Sequence, residues 1–160
     1  MASGYVIFLE KAKFKMPLGF SYFDVLIPQL KFEKQEKTDV EVCIVPIESF
    51  SEKYKNPILG EMKNKIEQEY GEIIRRVVVL LFPDGDSFLP YHRDNEAFKG
   101  KGVFSVSFGE TRMFLTKKGS ETKRYQIEDG DMMFFNSYFD EEYTHCTPPI
   151  KDLKGSKEIT

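Results

Sequence analysis

The chain has no tryptophan, two histidines and two cysteines, and each shortage removes a class of protein. Cys43 and Cys146 stand far apart without C-x-x-C spacing, so neither a disulfide framework nor a zinc ribbon can form, and a reducing intracellular compartment is expected. No apolar run reaches the roughly 20 residues that cross a bilayer. Met1 to Tyr5 lacks a charged segment leading into an apolar one, so neither a membrane nor a secreted protein is expected. Internal repeats, low-complexity tracts, G-x-S-x-G and G-x-x-x-x-G-K-[ST] are missing as well. Gly100-Lys101-Gly102 is too short to cradle a phosphate and reads as a flexible loop. A net charge of −3, from 23 basic and 26 acidic side chains, gives no global footprint for nucleic acid. Local basic stretches occur at Lys11, Lys13 and Lys15 and at Lys117, Lys118, Lys123 and Arg124, where solvated strand faces and hairpin tips are the ordinary reading.

What is present is enough for one globular domain: 160 residues, 41% hydrophobic and 14% aromatic. Tyr5 to Leu9 and Val40 to Val45 read as strands, while Lys11 to Lys37 shows no clean period. A helix follows. Asn56 can cap it, Pro57 suits its first position, Leu59, Met62, Ile66 and Tyr70 fall on one face, and Gly71 supplies the stop. From Arg75 onward the period is that of strands. Val77 to Phe82 is a continuous apolar run ended by Pro83-Asp84-Gly85-Asp86, and Val103 to Phe108 alternates before Gly109. Arg112 to Thr116, a turn at Lys117 to Ser120, Arg124 to Ile127, a turn at Asp129-Gly130 and Asp131 to Asn136 complete the pattern. Short strands at such spacing indicate a sandwich or barrel.

The two histidines carry the candidate chemistry. In an extended segment His92 and Asp94 leave the same face and can grip one ion, and His145 would close the set from another strand. Two imidazoles and a carboxylate make the facial triad of non-haem Fe(II) oxygenases. An H-x-D is also common by chance, and an exposed His-Arg-Asp turn is the competing explanation. Cys146 beside His145 suggests a thiol nucleophile less well, because adjacent strand residues point to opposite faces.

The order of the motifs is more specific than any one of them. Pro83 to Gly85, His92 to Glu96, Ser107 to Gly109, Phe114, Gly130-Asp131, Tyr143, His145 and Pro148 follow one another in a sequence that resembles the AlkB family of Fe(II)- and 2-oxoglutarate-dependent dioxygenases. The resemblance covers roughly residues 56 to 149. It implies a mainly β fold, a double-stranded β-helix (jelly-roll) core with one or more flanking helices. It also implies iron held by His92, Asp94 and His145, and 2-oxoglutarate as cosubstrate. Residues 1–55 would then be an N-terminal extension and possible nucleotide-recognition lid, and residues 56–160 the dioxygenase core.

The resemblance further implies oxidative removal of N-alkyl groups, chiefly methyl, from DNA or RNA bases that are single-stranded or flipped out. Arg93, Asn95 and Glu96 fall where the family approaches the base, and Tyr22 and Phe20 are the candidate stacking rings. There are departures. Leu80 and Phe82 occupy the positions where the family places 2-oxoglutarate-binding Asn and Tyr, so those contacts are reduced or supplied elsewhere. The family's clamping Arg on a strand after the second His has no match before Thr160, so the core is expected to lack its last strand. Arg112 and the lysines at 151, 154 and 157 are the other cations for that task. Hydroxylation of a protein or small molecule, and a catalytically silent nucleic-acid-binding domain of the same fold, are the alternatives.

Overall fold

The computed structural model describes residues 6–14, 22–35, 37–46, 50, 57–94, 102–150 and 158–159. The chain begins with β1 (Ile7–Glu10), α1 (Tyr22–Leu26) with a 3-10 turn at Ile27–Gln29, β2 (Glu33–Lys34), β3 (Glu41–Val45) and α2 (Pro57–Tyr70). It continues through β4 (Val77–Phe82), β5 (Leu89–His92), β6 (Gly102–Val106), β7 (Phe108–Gly109), β8 (Arg112–Lys118), β9 (Glu121–Ile127) and β10 (Met132–Asn136). The last elements are α3 (Ser137–Glu142), β11 (Thr144–Thr147) and β12 (Glu158–Ile159).

All strand pairs are antiparallel, and they build two layers. The smaller sheet has the order β5-β11-β8-β9. The larger layer joins β2-β3-β4-β12-β7 to β6-β10-β1, because β6 and β7 are separated by Ser107 alone. Ser107 leaves the ladder to bond the turn before β10: its N–H donates to the Asp131 carbonyl at 3.0 Å, and its carbonyl accepts from Gly130 N–H at 2.7 Å. The strand thus changes neighbours without breaking. Aromatic rings bridge the layers, with Phe135 of β10 5.1 Å from the His145 ring and 6.3 Å from the Phe114 ring of β8.

Helix α2 closes the outer face of the larger layer. Leu59, Met62 and Ile66 pack in one cluster with Cys43, Val45, Val79 and Leu81, as the i+3 and i+4 spacing requires. Each such side chain contributes about 1.5–3 kcal/mol when fully buried. Gly71 has φ +66 and donates to the Glu67 carbonyl, which is the expected stop. Asn56, expected as its cap, lies outside the described residues. On β4, Val79 and Leu81 pack in this cluster, and Leu80 and Phe82 line a cavity that also reaches Val79 and the Leu59, Met62 and Ile66 face of α2.

Several expectations need correction. Gly102 is not a flexible loop residue but the first residue of β6, and a Cβ there would lie 2.5 Å from the Phe134 ring and 2.6 Å from the Phe135 carbonyl. The hairpin turn is Gly119-Ser120 alone: β8 runs on to Lys118 and β9 starts at Glu121, because the two arms pair residue for residue down to Lys118 and Glu121. The core, expected to lack its last strand, has a short one near its end, with Glu158 and Ile159 inserted between β4 and β7. From the stretch expected to be a lid, β1 pairs with β10 and β3 with β4, so both are part of the larger layer.

Lys11 and Lys13 do not form a free basic face either. Lys11 pairs with Asp131 and with Glu128, and Lys13, 7% exposed, bonds Glu10 at 2.8 Å and Glu69 at 2.6 Å. These pairs tie β1 and the turn after it to α2 and to the start of β10. Among the described residues no helix is long and apolar enough to cross a membrane.

Candidate metal centre

Strand β5 carries Pro90, which cannot donate to a ladder, and the sheet tolerates it because β5 is an edge strand. Its last residue, His92, sits directly opposite His145 of β11, with ring centroids 4.3 Å apart. Asp94 follows two residues on and turns its carboxylate between the rings: Oδ1 is 3.3 Å from Nε2 of His92 and 3.5 Å from Nε2 of His145. One ligand atom from each of the three lies within 4.8 Å of the others. The pattern H-x-D and a distant His therefore converge on one point, as expected from the sequence.

The electrostatics suit a cation. Burial pushes the Asp94 carboxyl up, but its close contacts with the His145 and His92 imidazoles outweigh this and hold the group well below the ordinary carboxylate range. The Asp94 carboxylate raises His92 above its usual value against the opposing effect of burial. Nδ1 of His92 is 2.6 Å from the Pro90 carbonyl, which can only accept, so that nitrogen carries the proton and Nε2 is the metal-facing atom. His145 is 5% exposed, with Phe114 stacked on its ring at 5.2 Å. Its Nδ1 is buried without a hydrogen bond among the described residues, 4.0 Å from Oδ1 of Asp140 on α3. Asp140 also accepts the Asp94 backbone N–H at 2.9 Å.

The triad opens onto a cavity of about 640 Å³ lined by Leu80, Phe82, Arg93, Arg112, Phe114 and Thr147. Arg112 is 2% exposed, with its guanidinium 4.6 Å from the Phe82 ring centroid and donating to the carbonyls of Ser87, Pro148 and Asp84. Two imidazoles and an ionised carboxylate beside a cavity with a buried guanidinium form a donor set that fits Fe(II) and a dicarboxylate cosubstrate. The family model described as the 2OG-Fe(II) oxygenase superfamily matches residues 35–158. The chain belongs to that superfamily.

Its cofactors are accordingly Fe(II) and 2-oxoglutarate. Solved structures of similar fold include that of OsALKBH1, at 15% identity and TM-score 0.51, covering 86% of this chain and 85% of that one. An oxidoreductase of the 2OG-Fe(II) oxygenase family from Burkholderia pseudomallei is alike at 17% identity and TM-score 0.53, covering 86% and 73%. At these identities the likeness is one of fold, the jelly roll of this oxygenase superfamily. A search of curated proteins found no match.

Leu80, Phe82, Arg93 and Arg112 thus line the same cavity as His92, Asp94 and His145. Phe20, Asn95 and Glu96 lie outside the described residues, as do the lysines at 151, 154 and 157, and Tyr22 is placed only as the first residue of α1. Cys146 is buried, and burial pushes its thiol up, which is unsuited to a nucleophile. Asp140 was not anticipated. Its faint signal is Asn136, which caps α3 by accepting from Phe139 N–H at 3.0 Å.

Proposed function

We propose that this oxygenase is an AlkB-like dioxygenase that removes N-alkyl groups, chiefly methyl, from nucleobases in DNA or RNA. Bound Fe(II) and 2-oxoglutarate supply the oxidising chemistry: O₂ is consumed, 2-oxoglutarate leaves as succinate and CO₂, and the hydroxylated alkyl group departs as an aldehyde. The chain's own residues bind and orient. His92, Asp94 and His145 hold the metal, and Leu80 and Phe82 supply an apolar wall. Arg112, buried in the cavity lining, would offer the far carboxylate of the cosubstrate a charge that persists at any working pH.

The observation that carries the nucleic-acid reading is the place of Arg93. It lines the cavity and also a second, more open notch of about 330 Å³, formed with Tyr91, Lys117, Lys118, Glu142 and Thr144. A phosphate-bearing strand therefore has a cationic approach ending beside the triad. Lys117 lies over the Tyr91 ring at 5.5 Å, so this rim joins charge to an aromatic surface, the combination that suits single strands. Arg93, Asn95 and Glu96, with Tyr22 and Phe20, are the residues proposed to meet the base. The notch also holds an acid, since Lys118 pairs with Glu142 at 3.6 Å. That carboxylate favours the second reading, hydroxylation of a protein or small molecule. Succinate and formaldehyde release on a panel of methylated DNA and RNA oligonucleotides tests the proposal. Turnover stimulated by a methylated oligonucleotide supports it, and turnover indifferent to the whole panel moves the reading to the second.

A further inference from the structure

His145 is the more deeply buried of the two histidines, and among the described residues its Nδ1 makes no hydrogen bond. Buried N–H groups in folded proteins nearly always have an acceptor, and an imidazole without one is free to place its proton on either nitrogen. If the proton sat on Nε2, the lone pair would point away from Asp94 and the ligand would be lost. A carboxylate waits on the other side. Oδ1 of Asp140, a residue 4% exposed, lies 4.0 Å from Nδ1 of His145 and accepts the Asp94 backbone N–H at 2.9 Å. One oxygen thus faces two of the three ligand residues. Its position is fixed from behind, because the Asn136 cap sets the first turn of α3 and Phe139 and Tyr143 stack at 4.6 Å on either side of it in sequence.

We propose that Asp140 is a positioning residue of the metal centre: its Oδ1 anchors the Asp94 backbone and accepts the Nδ1 proton of His145, so that Nε2 of His145 is presented bare to the ion. The 4.0 Å separation is longer than a hydrogen bond. Phe114 stacks on the face of the ring at an interplanar angle of 22°, which leaves in-plane rotation of the imidazole as the motion that closes the gap. Carboxylates behind ligating histidines fix the tautomer and raise ligand basicity, and losing one weakens metal affinity by about 10–100-fold.

The experiment uses the full chain labelled with ¹⁵N-histidine, with the two rings told apart by a His92→Gln variant. Long-range proton–nitrogen correlation in the metal-free protein is expected to find His145 protonated at Nδ1. In Asp140→Ala that preference is lost, and Mn(II) affinity read by calorimetry falls by about 10–100-fold. Asp140→Asn keeps an oxygen acceptor of the same shape and restores the tautomer, a rescue that a merely structural role would not produce. The proposal is overturned if wild-type His145 carries its proton at Nε2. It is equally overturned if Asp140→Ala leaves both tautomer and affinity unchanged. Should the alanine variant fail to fold, the wild-type tautomer and the asparagine variant still decide.

Discussion

His92 and His145 are direct cross-strand partners in the β5–β11 ladder, although 53 residues separate them in sequence. A slip of one residue in this register would send one imidazole to the opposite face of the sheet and dismantle the triad. The ladder is irregular beyond that pair, with a shift between His145 and Thr147, so the pairing is pinned at the point where the ligands meet. The first prediction follows from this geometry. Metal titration of the chain should give one divalent site, and His92→Ala or His145→Ala should abolish it, because two remaining ligands hold an ion poorly. Unchanged affinity in either variant would remove the oxygenase site from these residues.

Arg112, proposed above to meet the cosubstrate, also carries stability. Its guanidinium ties the carbonyls of Asp84 and Ser87, in the turn after β4, to that of Pro148 after β11. Arg112→Met would strand those buried acceptors, so thermal or urea unfolding should report a loss of about 3–5 kcal/mol. Arg112→Lys keeps the charge but cannot span three carbonyls, and a loss of about 2 kcal/mol is expected. In the folded lysine variant 2-oxoglutarate should bind several-fold more weakly. Equal affinity would place the far carboxylate elsewhere.

A pH dependence follows from Asp131. Burial pushes its carboxyl up, but the bond from Lys11 and the backbone N–H groups of Ala12 and Glu128 outweigh this, and the group is held below its ordinary value. A folded-state value below the unfolded one means that the stabilisation is complete above about pH 5 and is lost as pH falls through the folded value. Asp131→Asn should cost about 1–3 kcal/mol near neutral pH. Urea unfolding of both proteins at several pH values checks the sign. The gap between them should shrink on acidification, and a constant gap would contradict the linkage.

What the sequence made legible was local. The two-residue spacing of His92 and Asp94, the helical face of Leu59, Met62 and Ile66, the apolar run of β4 and the alternation of β6 are each read locally, and all appear in the fold. What escaped depended on distant partners. Lys11 and Lys13 looked like a basic stripe because their acceptors Asp131 and Glu69 lie 120 and 56 residues away. β5 was masked by its own proline, which is acceptable only at an edge that sequence cannot assign. α3, at six residues, is too short for any period to show, and with it went Asp140.

The last prediction concerns the approach to the site. If nucleic acid is the substrate, its contacts are to be found at Arg93, Lys117 and Lys118, since Lys11 and Lys13 are held in close ion pairs within the fold, whereas the Lys118–Glu142 pair is longer, at 3.6 Å. Lys117 and Lys118 are exposed at the end of β8, beside the two-residue turn, so they can be changed without disturbing the layers. Each single-strand phosphate neutralised contributes about 0.7 to the slope of log affinity against log salt, so three contacts give a slope of about −2. Reversing Lys117 and Lys118 to glutamate should flatten that slope to about −0.7 or less and weaken binding at low salt by at least tenfold. It should leave metal affinity as it was, because neither lysine is a ligand. The measurement is anisotropy of a labelled single-stranded oligonucleotide at several salt concentrations, with the metal titration as control. Absence of binding by the wild-type chain at low salt would favour the protein or small-molecule substrate. Binding that survives the double reversal would move the strand to another face of the molecule.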